Sequence, residues 1–498
     1  MKPQIPTVSQ QLKAPAGKDI DACASWIIVF NDKTGRREID EFPYGRLMLE
    51  RRNRLTRRTP DREPVCMDLP NTAGSRVALA CIDPQIPAFD LLTLARKLVA
   101  EFSGRGITEL HVAVAGFDKT IRERVAEAIV AGAAAASAEM PSFKKSEDKK
   151  VSLNHIKIFG VRTSHGFKRT LAEAEGNAVA RYLSMLPANK LTPALYRKEI
   201  HKLGAEYGWE QEFLDEKALR RKKAGAFLAV SQGSPERDAG IMRLAFQPVR
   251  GAKRKKVTLV GKGICYDTGG TNLKPAKFMY GMHEDMQGSA VALGTLIALT
   301  RLQVNYPVEC WMALAANHIG PKAYKPNDVV TACDGTSIEI VHTDAEGRMV
   351  LADTLALASG KQPGLLIDYA TLTGACVYSL GTAYSGVFTN RDRFNPILIE
   401  TGRNSGERVW PFPMDADYDK ELKSKIADIK QCSLESGGDH ILAARFLQRF
   451  VRDGVPWIHI DLAASNRKGG LAHIPTDTTG FGIRFTLNLL LDKKPVRL

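Results

Sequence analysis

The sequence predicts an α/β protein in two domains. A smaller N-terminal α/β domain spans residues 1–165 and a linker helix spans 166–190. A larger domain over 191–498 is expected to carry a mixed, mainly parallel sheet flanked by helices. Three observations predict this. A chain of 498 residues exceeds what one hydrophobic core organises. Short apolar runs alternate with stretches whose apolar residues recur at helical spacing, the pattern of sheets covered by helices. Beyond residue 190, a strand-like run enters a glycine-rich turn and then an apolar helix, the order of a βαβ unit.

The elements follow in order. Val77–Cys81 and Glu109–Ala115 read as buried strands, and Ala88–Phe102 between them has helical spacing. Arg122–Ala136 is alanine-rich and reads as a second helix. Ser142–Lys150 is polar and reads as an exposed turn, and Val151–Val161 alternates like a closing strand. Phe167–Ser184 reads as the long connecting helix, and Arg181–Tyr196 carries the Pro and Asn of a helix exit and re-entry. In the larger domain Val257–Val260, Val308–Ala316, Leu365–Tyr369 and Trp457–Leu462 read as strands. Ser289–Leu302 and Ala443–Val451 read as helices.

Composition narrows the function classes. Hydrophobic residues make up 44% and charged residues 25%, values that permit a large buried core. No run of eighteen apolar residues occurs, so no membrane-spanning helix is expected. The first residues lack the apolar stretch of a secretory signal, and a cytoplasmic location is expected. The eight cysteines are scattered with no C-x-x-C pair, which argues for free thiols in a reducing compartment. The net charge of +15 favours anionic partners, nucleic acid among them. Its clusters are Arg51, Arg52, Arg54, Arg57 and Arg58; Arg220, Arg221, Lys222 and Lys223; and Arg254, Lys255 and Lys256. They lack interleaved aromatics and read as solvated surface or subunit contact.

Two segments concentrate chemistry: Val260–Met286 and Val341–Asp353. Asp267 follows a strand and precedes Thr268-Gly269-Gly270, a turn at the edge of a sheet, where sites in open α/β sheets converge. Asp344 and Glu346 are two apart. In an extended segment that spacing places both on one face, and Arg348 continues it. Gathered carboxylates repel and call for cations, and oxygen donors with few His or Cys suit hard or borderline divalent ions. Singly, each group has an ordinary reading as a turn cap or a solvated loop residue; their order and spacing together set them apart.

That order resembles the leucyl (cytosol) aminopeptidase family. The likeness rests on T-D-A-E-G-R at Thr343–Arg348, on G-K-G-x-x-x-D-T-G-G-x-x-L-K-P at Gly261–Pro275, and on A-T-L-T-G-A at Ala370–Ala375. R-Y-L-S-M-L-P-A-N-K-L-T-P and W-I-H-I-D-L-A also align, so that the likeness runs through residues 180–498 and more weakly before them. The resemblance implies two divalent metal ions per subunit, Mn or Zn, with Mg or Co as alternatives. Lys262 and Asp285 would bind one ion, Asp267 and Glu346 would bridge both, and Asp344 would bind the second. Lys274 and Arg348 would act on the reaction without touching metal. A lysine ligand must lose its proton, which a nearby divalent charge promotes.

The implied reaction removes N-terminal amino acids, leucine-like ones preferred, from peptide substrates. A hydroxide activated by the two metals attacks the scissile carbonyl, and Lys274 steadies the oxyanion. Arg348 holds a bicarbonate ion as general base, its planar fork matching such an anion. Met282, Thr371, Gly374 and Ala463 would line the pocket for the first side chain, and Thr371 and Leu372 would contact substrate backbone. A homohexamer is implied as well. The chain departs from the family at His342, at His283 and Glu284, at Ala316–Pro321, and at Ala464, Ser465 and Asn466, where a more polar pocket wall is expected. DNA binding, alone or beside catalysis, is the alternative that the positive charge supports.

Overall fold

Alternating side chains along hydrophobic strands build two main sheets, each with apolar residues on both faces. The computed structural model describes residues 3–56, 63–145, 152–435 and 437–498. Arg57 and Arg58 of the first basic cluster, residues 146–150 of the expected turn, and Val151 lie outside the described residues.

The chain divides into two units. One comprises residues up to Glu175 together with Lys468–Asp477; the other comprises Gly176–Arg467 and Thr478–Leu498. The boundary near 175 falls inside the helix Lys168–Ser184.

In the first unit, six strands run in the order Thr7–Gln11, His155–Phe159, Glu109–Ala115, Ser25–Asn31, Arg76–Ile82 and Val65–Asp68. All neighbours are parallel except the last pair. The central strand Ser25–Asn31 shows why the sheet is buried on both sides. Trp26, Ile28 and Phe30 join one core, while Ile27 and Val29 join another. Helices Ala88–Ala100 and Lys119–Ser137 close the second core through Leu91, Leu98, Val125 and Ile129. The expected strand over Val151–Val161 is shorter, at His155–Phe159, and the strands Thr7–Gln11, Ser25–Asn31 and Val65–Asp68 were not foreseen.

In the second unit, eight strands run in the order Val409–Pro411, Ser385–Thr389, Trp457–Asp461, Leu365–Ala370, Val257–Asp267, Val308–Asn317, Gly240–Phe246 and Glu210–Asp215. The four in the middle are parallel, and antiparallel pairs join the outer strands to them. The sheet is therefore mixed and mainly parallel at its centre, with helices packed against it, as expected. Val257–Asp267 runs well past the expected end at Val260. Its residues Val260 and Ile264 share a core with Met349, Val350 and Leu351 of the helix Glu346–Ser359. On its other face Gly261 lies against Ser289 of the helix Gln287–Arg301, too closely for a Cβ. A small third sheet joins Val329–Thr331, Ser337–Glu339 and Ile429–Lys430.

This arrangement positions the site. Asp267, Asn317, Ala370 and Asp461 are the last residues of four parallel strands, at the sheet edge where open α/β proteins place their chemistry. No helix among the described residues is long and apolar enough to cross a membrane.

Candidate active site

Lys262 stands in the middle of the central strand, 3% exposed, on the same face as Val260 and Ile264. Its side chain has room because residue 347 is glycine; a Cβ there would come within 2.5 Å of Lys262 Cε. Nζ donates to Asp285 Oδ1 at 2.7 Å and to the Thr371 carbonyl at 3.0 Å, and it lies 2.9 Å from Glu346 Oε1. Burial alone would lower the lysine's pKa. The carboxylates of Asp285, Glu346 and Asp267 outweigh that and hold it above the ordinary value.

Asp267 ends the strand. Its Oδ1 accepts from the Gly269 amide and from Asn317 Nδ2, both at 2.8 Å, and its Oδ2 meets Lys274 Nζ at 2.9 Å. The turn that follows needs glycine: Gly269 has φ +86°, and a Cβ there would press to 2.4 Å from the Asn272 carbonyl. Asp285 follows the short 3₁₀ turn Met282–Glu284 and accepts from Thr371 Oγ1 at 2.7 Å.

One expectation is corrected here. Asp344 and Glu346 do not lie along an extended segment. Asp344 sits in a turn and Glu346 is the first residue of the helix Glu346–Ser359, with Arg348 in that helix's first turn. The turn is held by Thr343: its Oγ1 donates to the Gly269 carbonyl at 2.6 Å, and its carbonyl accepts from Tyr324 Oη at 2.7 Å and Asn317 Nδ2 at 3.0 Å. The two carboxylates converge because a helix starts between them, not because a strand alternates. Lys274 Nζ lies 2.5 Å from Asp344 Oδ1 and so bridges Asp267 and Asp344.

These charges perturb one another. Burial, and behind it the neighbouring carboxylates, raises Asp285, Asp344 and Glu346 above the usual carboxylate range, although Lys262 and Lys274 pull the other way. Lys274 is raised too, since Asp267, Glu346 and Asp344 outweigh its desolvation.

The residues fit divalent cations. Asp267, Asp344 and Glu346 offer oxygens that all lie within 4.8 Å of one another. Among the described residues, Asp285 Oδ2 and Glu346 Oε2 are buried with no hydrogen-bond partner, an unfavourable state for carboxylate oxygens that cations would relieve. Lys262, Asp267, Lys274, Asp285, Asp344 and Glu346 thus form one connected cluster. Arg348 does not join it by a direct contact. Its buried guanidinium donates from Nη1 to the Gln431 carbonyl at 3.2 Å and from Nη2 to both oxygens of Asp439 at 2.8 and 2.9 Å.

The expected substrate residues occupy the neighbouring strand ends. Thr371 and Leu372 follow Leu365–Ala370, and the Leu372 amide donates to Asp461 Oδ1 at 3.1 Å. Gly374 opens the helix Gly374–Leu380, with space beside it: a Cβ there would touch only Tyr378, at 3.8 Å. Met282 begins the 3₁₀ turn before Asp285, and Ala463 follows Trp457–Asp461 and is buried. Nearby, Asn466 Nδ2 donates to Glu284 Oε2 at 2.7 Å and Thr478 Oγ1 to Glu284 Oε1 at 3.2 Å, so two residues at positions of departure from the family pair with each other.

Sequence reasoning missed the residues that hold the cluster: Asn317, Tyr324, Thr343, Gln431, Asp439 and Asp461. Three had a readable signal: Thr343 opens T-D-A-E-G-R, Asn317 lies in the departing stretch Ala316–Pro321, and Asp461 closes the strand-like run W-I-H-I-D. His342, one of the departures from the family, accepts from the Asp344 amide at 3.3 Å and so serves the turn.

Comparison with known proteins identifies the family. The catalytic domain of the cytosol aminopeptidase family matches residues 178–487, more than half of the chain. A probable cytosol aminopeptidase of Wolbachia pipientis wMel is 36% identical over 414 residues, covering 81% of this chain and 80% of that protein. Among solved structures, a mutant of tomato leucine aminopeptidase superposes with a TM-score of 0.83 at 27% identity, over 99% of this chain and 98% of that one. The bottromycin maturation enzyme BotP in complex with Mn gives 0.79 at 29% identity, over 95% of this chain and 100% of its own. With both the family match and the extended identity in hand, the chain belongs to the cytosol aminopeptidase family and is a leucyl aminopeptidase-type exopeptidase.

Proposed function

We propose that the enzyme removes the first residue from peptides with a free N-terminal amine, preferring leucine-like side chains, with two divalent ions at the carboxylate cluster. The carrying observation is the convergence of Lys262, Asp267, Asp285, Asp344 and Glu346 with two buried, unpartnered carboxylate oxygens. Lys262 and Asp285 would hold one ion, Asp267 and Glu346 both, and Asp344 the second; Mn or Zn suits this donor set, with Mg and Co as alternatives. Bound there, the ions supply Lewis-acid charge and lower the pKa of water.

The chain's own groups do the rest. The Lys274 ammonium, freed from part of its pairing with Asp267 and Asp344, is the donor to the carbonyl oxygen as charge develops. Asp461 orients the Leu372 and Thr373 backbone that would meet the substrate. Met282, Thr371, Gly374 and Ala463 would receive the first side chain, with Glu284 and Asn466 as polar neighbours. Arg348 serves an anionic base; a planar oxyanion, bicarbonate or a carboxylate, suits its guanidinium.

The test uses aminoacyl anilides, free and N-acetylated, with Mn, Mg, Zn or Co against a chelated control. Hydrolysis of free substrates alone, lost on chelation, supports the reading. Cleavage of acetylated substrates, or of no free substrate with any metal, ends it. Leucyl over glycyl turnover checks the preference, where one methylene is worth only about 1–3 kcal/mol. A homohexamer accompanies this reading and is checked by light scattering. The eight free thiols favour a cytoplasmic setting. The charge of +15 favours duplex DNA as a second partner, checked by salt-dependent retention of the metal-stripped protein.

A further inference from the structure

Arg348 is 2% exposed and sits two residues past Glu346, yet its strongest partner is no member of the metal cluster. Nη2 grips both oxygens of Asp439, at 2.8 and 2.9 Å, in a charge-assisted pair. The Asp439 side chain is 35% exposed while that of Arg348 is closed to solvent, so the carboxylate is the open end of the pair.

Asp439 is also well anchored. It is the first residue of the helix Asp439–Gln448, where unpaired backbone amides favour an anion. The helix is fixed below by buried Ile441, Leu442 and Ala444. Through Arg348, in the same first helical turn as Glu346, the Asp439 carboxylate lies beside the start of the helix that opens with Glu346.

Nη2 of the guanidinium is already taken by a carboxylate and Nη1 by the Gln431 carbonyl, so a second anion at that end would meet a like charge. We propose that Asp439 is a built-in anion on Arg348, taking the place of free bicarbonate and serving as the proton carrier of the hydrolysis. As the water oxygen bonds to the scissile carbonyl carbon, a water proton passes to an Asp439 oxygen. As the C–N bond breaks, that proton passes to the leaving nitrogen. One water is consumed, an amino acid and a shortened peptide are released, and the carboxylate is regenerated.

This inference rests on the aminopeptidase reading, and its test keeps the two apart. Full-length, metal-loaded protein is assayed on leucyl anilide in buffer freed of carbon dioxide, with and without added bicarbonate. In parallel, ¹³C-bicarbonate binding is followed by NMR, which needs no turnover. The wild type is expected to be active and indifferent to bicarbonate and to show no saturable binding. Asp439→Ala is expected to lose roughly 10²–10⁴-fold in kcat. It should change KM little, bind bicarbonate saturably and regain activity with it. Asp439→Gly repeats the test should the alanine variant fold poorly.

Wild-type activity that collapses without bicarbonate and returns with it overturns the proposal. So does saturable bicarbonate binding by the wild type, or an alanine variant with full kcat in its absence. A wild type inactive on every free substrate defeats the aminopeptidase reading instead, and the NMR comparison still decides what occupies Arg348.

Discussion

The six-stranded and eight-stranded sheets follow the same construction rule, but they bury different things. Among the described strands of the first, the buried polar side chains are Ser25 and His111, and burial pushes His111 toward its neutral form. The central strand of the second buries Lys262 and Asp267, both kept among partners of opposite charge. A parallel sheet with apolar faces does not define a function. A buried cluster of several charged groups at the strand ends is what distinguishes the second sheet, since each needs partners of opposite charge to offset its desolvation.

The comparison breaks most sharply at Lys262. Lys262→Met is expected to lower kcat by more than about 10³-fold, ~4 kcal/mol of barrier. It should also reduce bound metal measured by elemental analysis, with circular dichroism unchanged. Full metal content and full activity in that variant would reduce Lys262 to a packing residue. Lys274→Ala follows, with kcat expected to fall about 10²–10³-fold and KM to move less. An unchanged kcat there would remove it from the chemistry.

The other sheet should answer differently. Leu98→Ala, in the helix-covered core of the first unit, is expected to cost about 2–5 kcal/mol in denaturant unfolding of that unit. Turnover per folded molecule should stay at the wild-type level. A selective loss of kcat would mean that this core tunes the chemistry.

The smallest effect sharpens the contrast within the eight-stranded sheet. His459 is buried 2.6 Å from Asp368; burial works to lower its pKa, but Asp368 outweighs it and holds the imidazole above its ordinary value. A raised histidine contributes stability in full below its unfolded pKa, about 6.5, and loses it as pH rises through the folded value. The thermal stability gap between wild type and His459→Gln should therefore narrow from pH 6 to pH 9. A gap constant with pH would mean that the imidazole is neutral throughout.

How much of this was legible depended on how locally each feature is encoded. Glu109–Ala115 was read with its bounds unchanged because its residues are apolar enough to mark a strand alone. Glu210–Asp215, E-Q-E-F-L-D, was missed because an edge strand carries little hydrophobic pattern of its own. The residues of the charged cluster were legible through dense local motifs. The D-x-E pair was placed on the wrong element, since spacing of two cannot distinguish a strand from a turn that enters a helix. The grip of Asp439 on Arg348 was invisible because 91 residues separate them and neither flank hints at the other.

The strand Trp457–Asp461 lies between Leu365–Ala370 and Ser385–Thr389, both made earlier in the chain. Its last residue fixes the Leu372–Thr373 loop beside the cluster. On the ribosome, then, the central sheet has a missing slat until residue 461 has emerged. The loop that would meet peptide ends has no such brace until then.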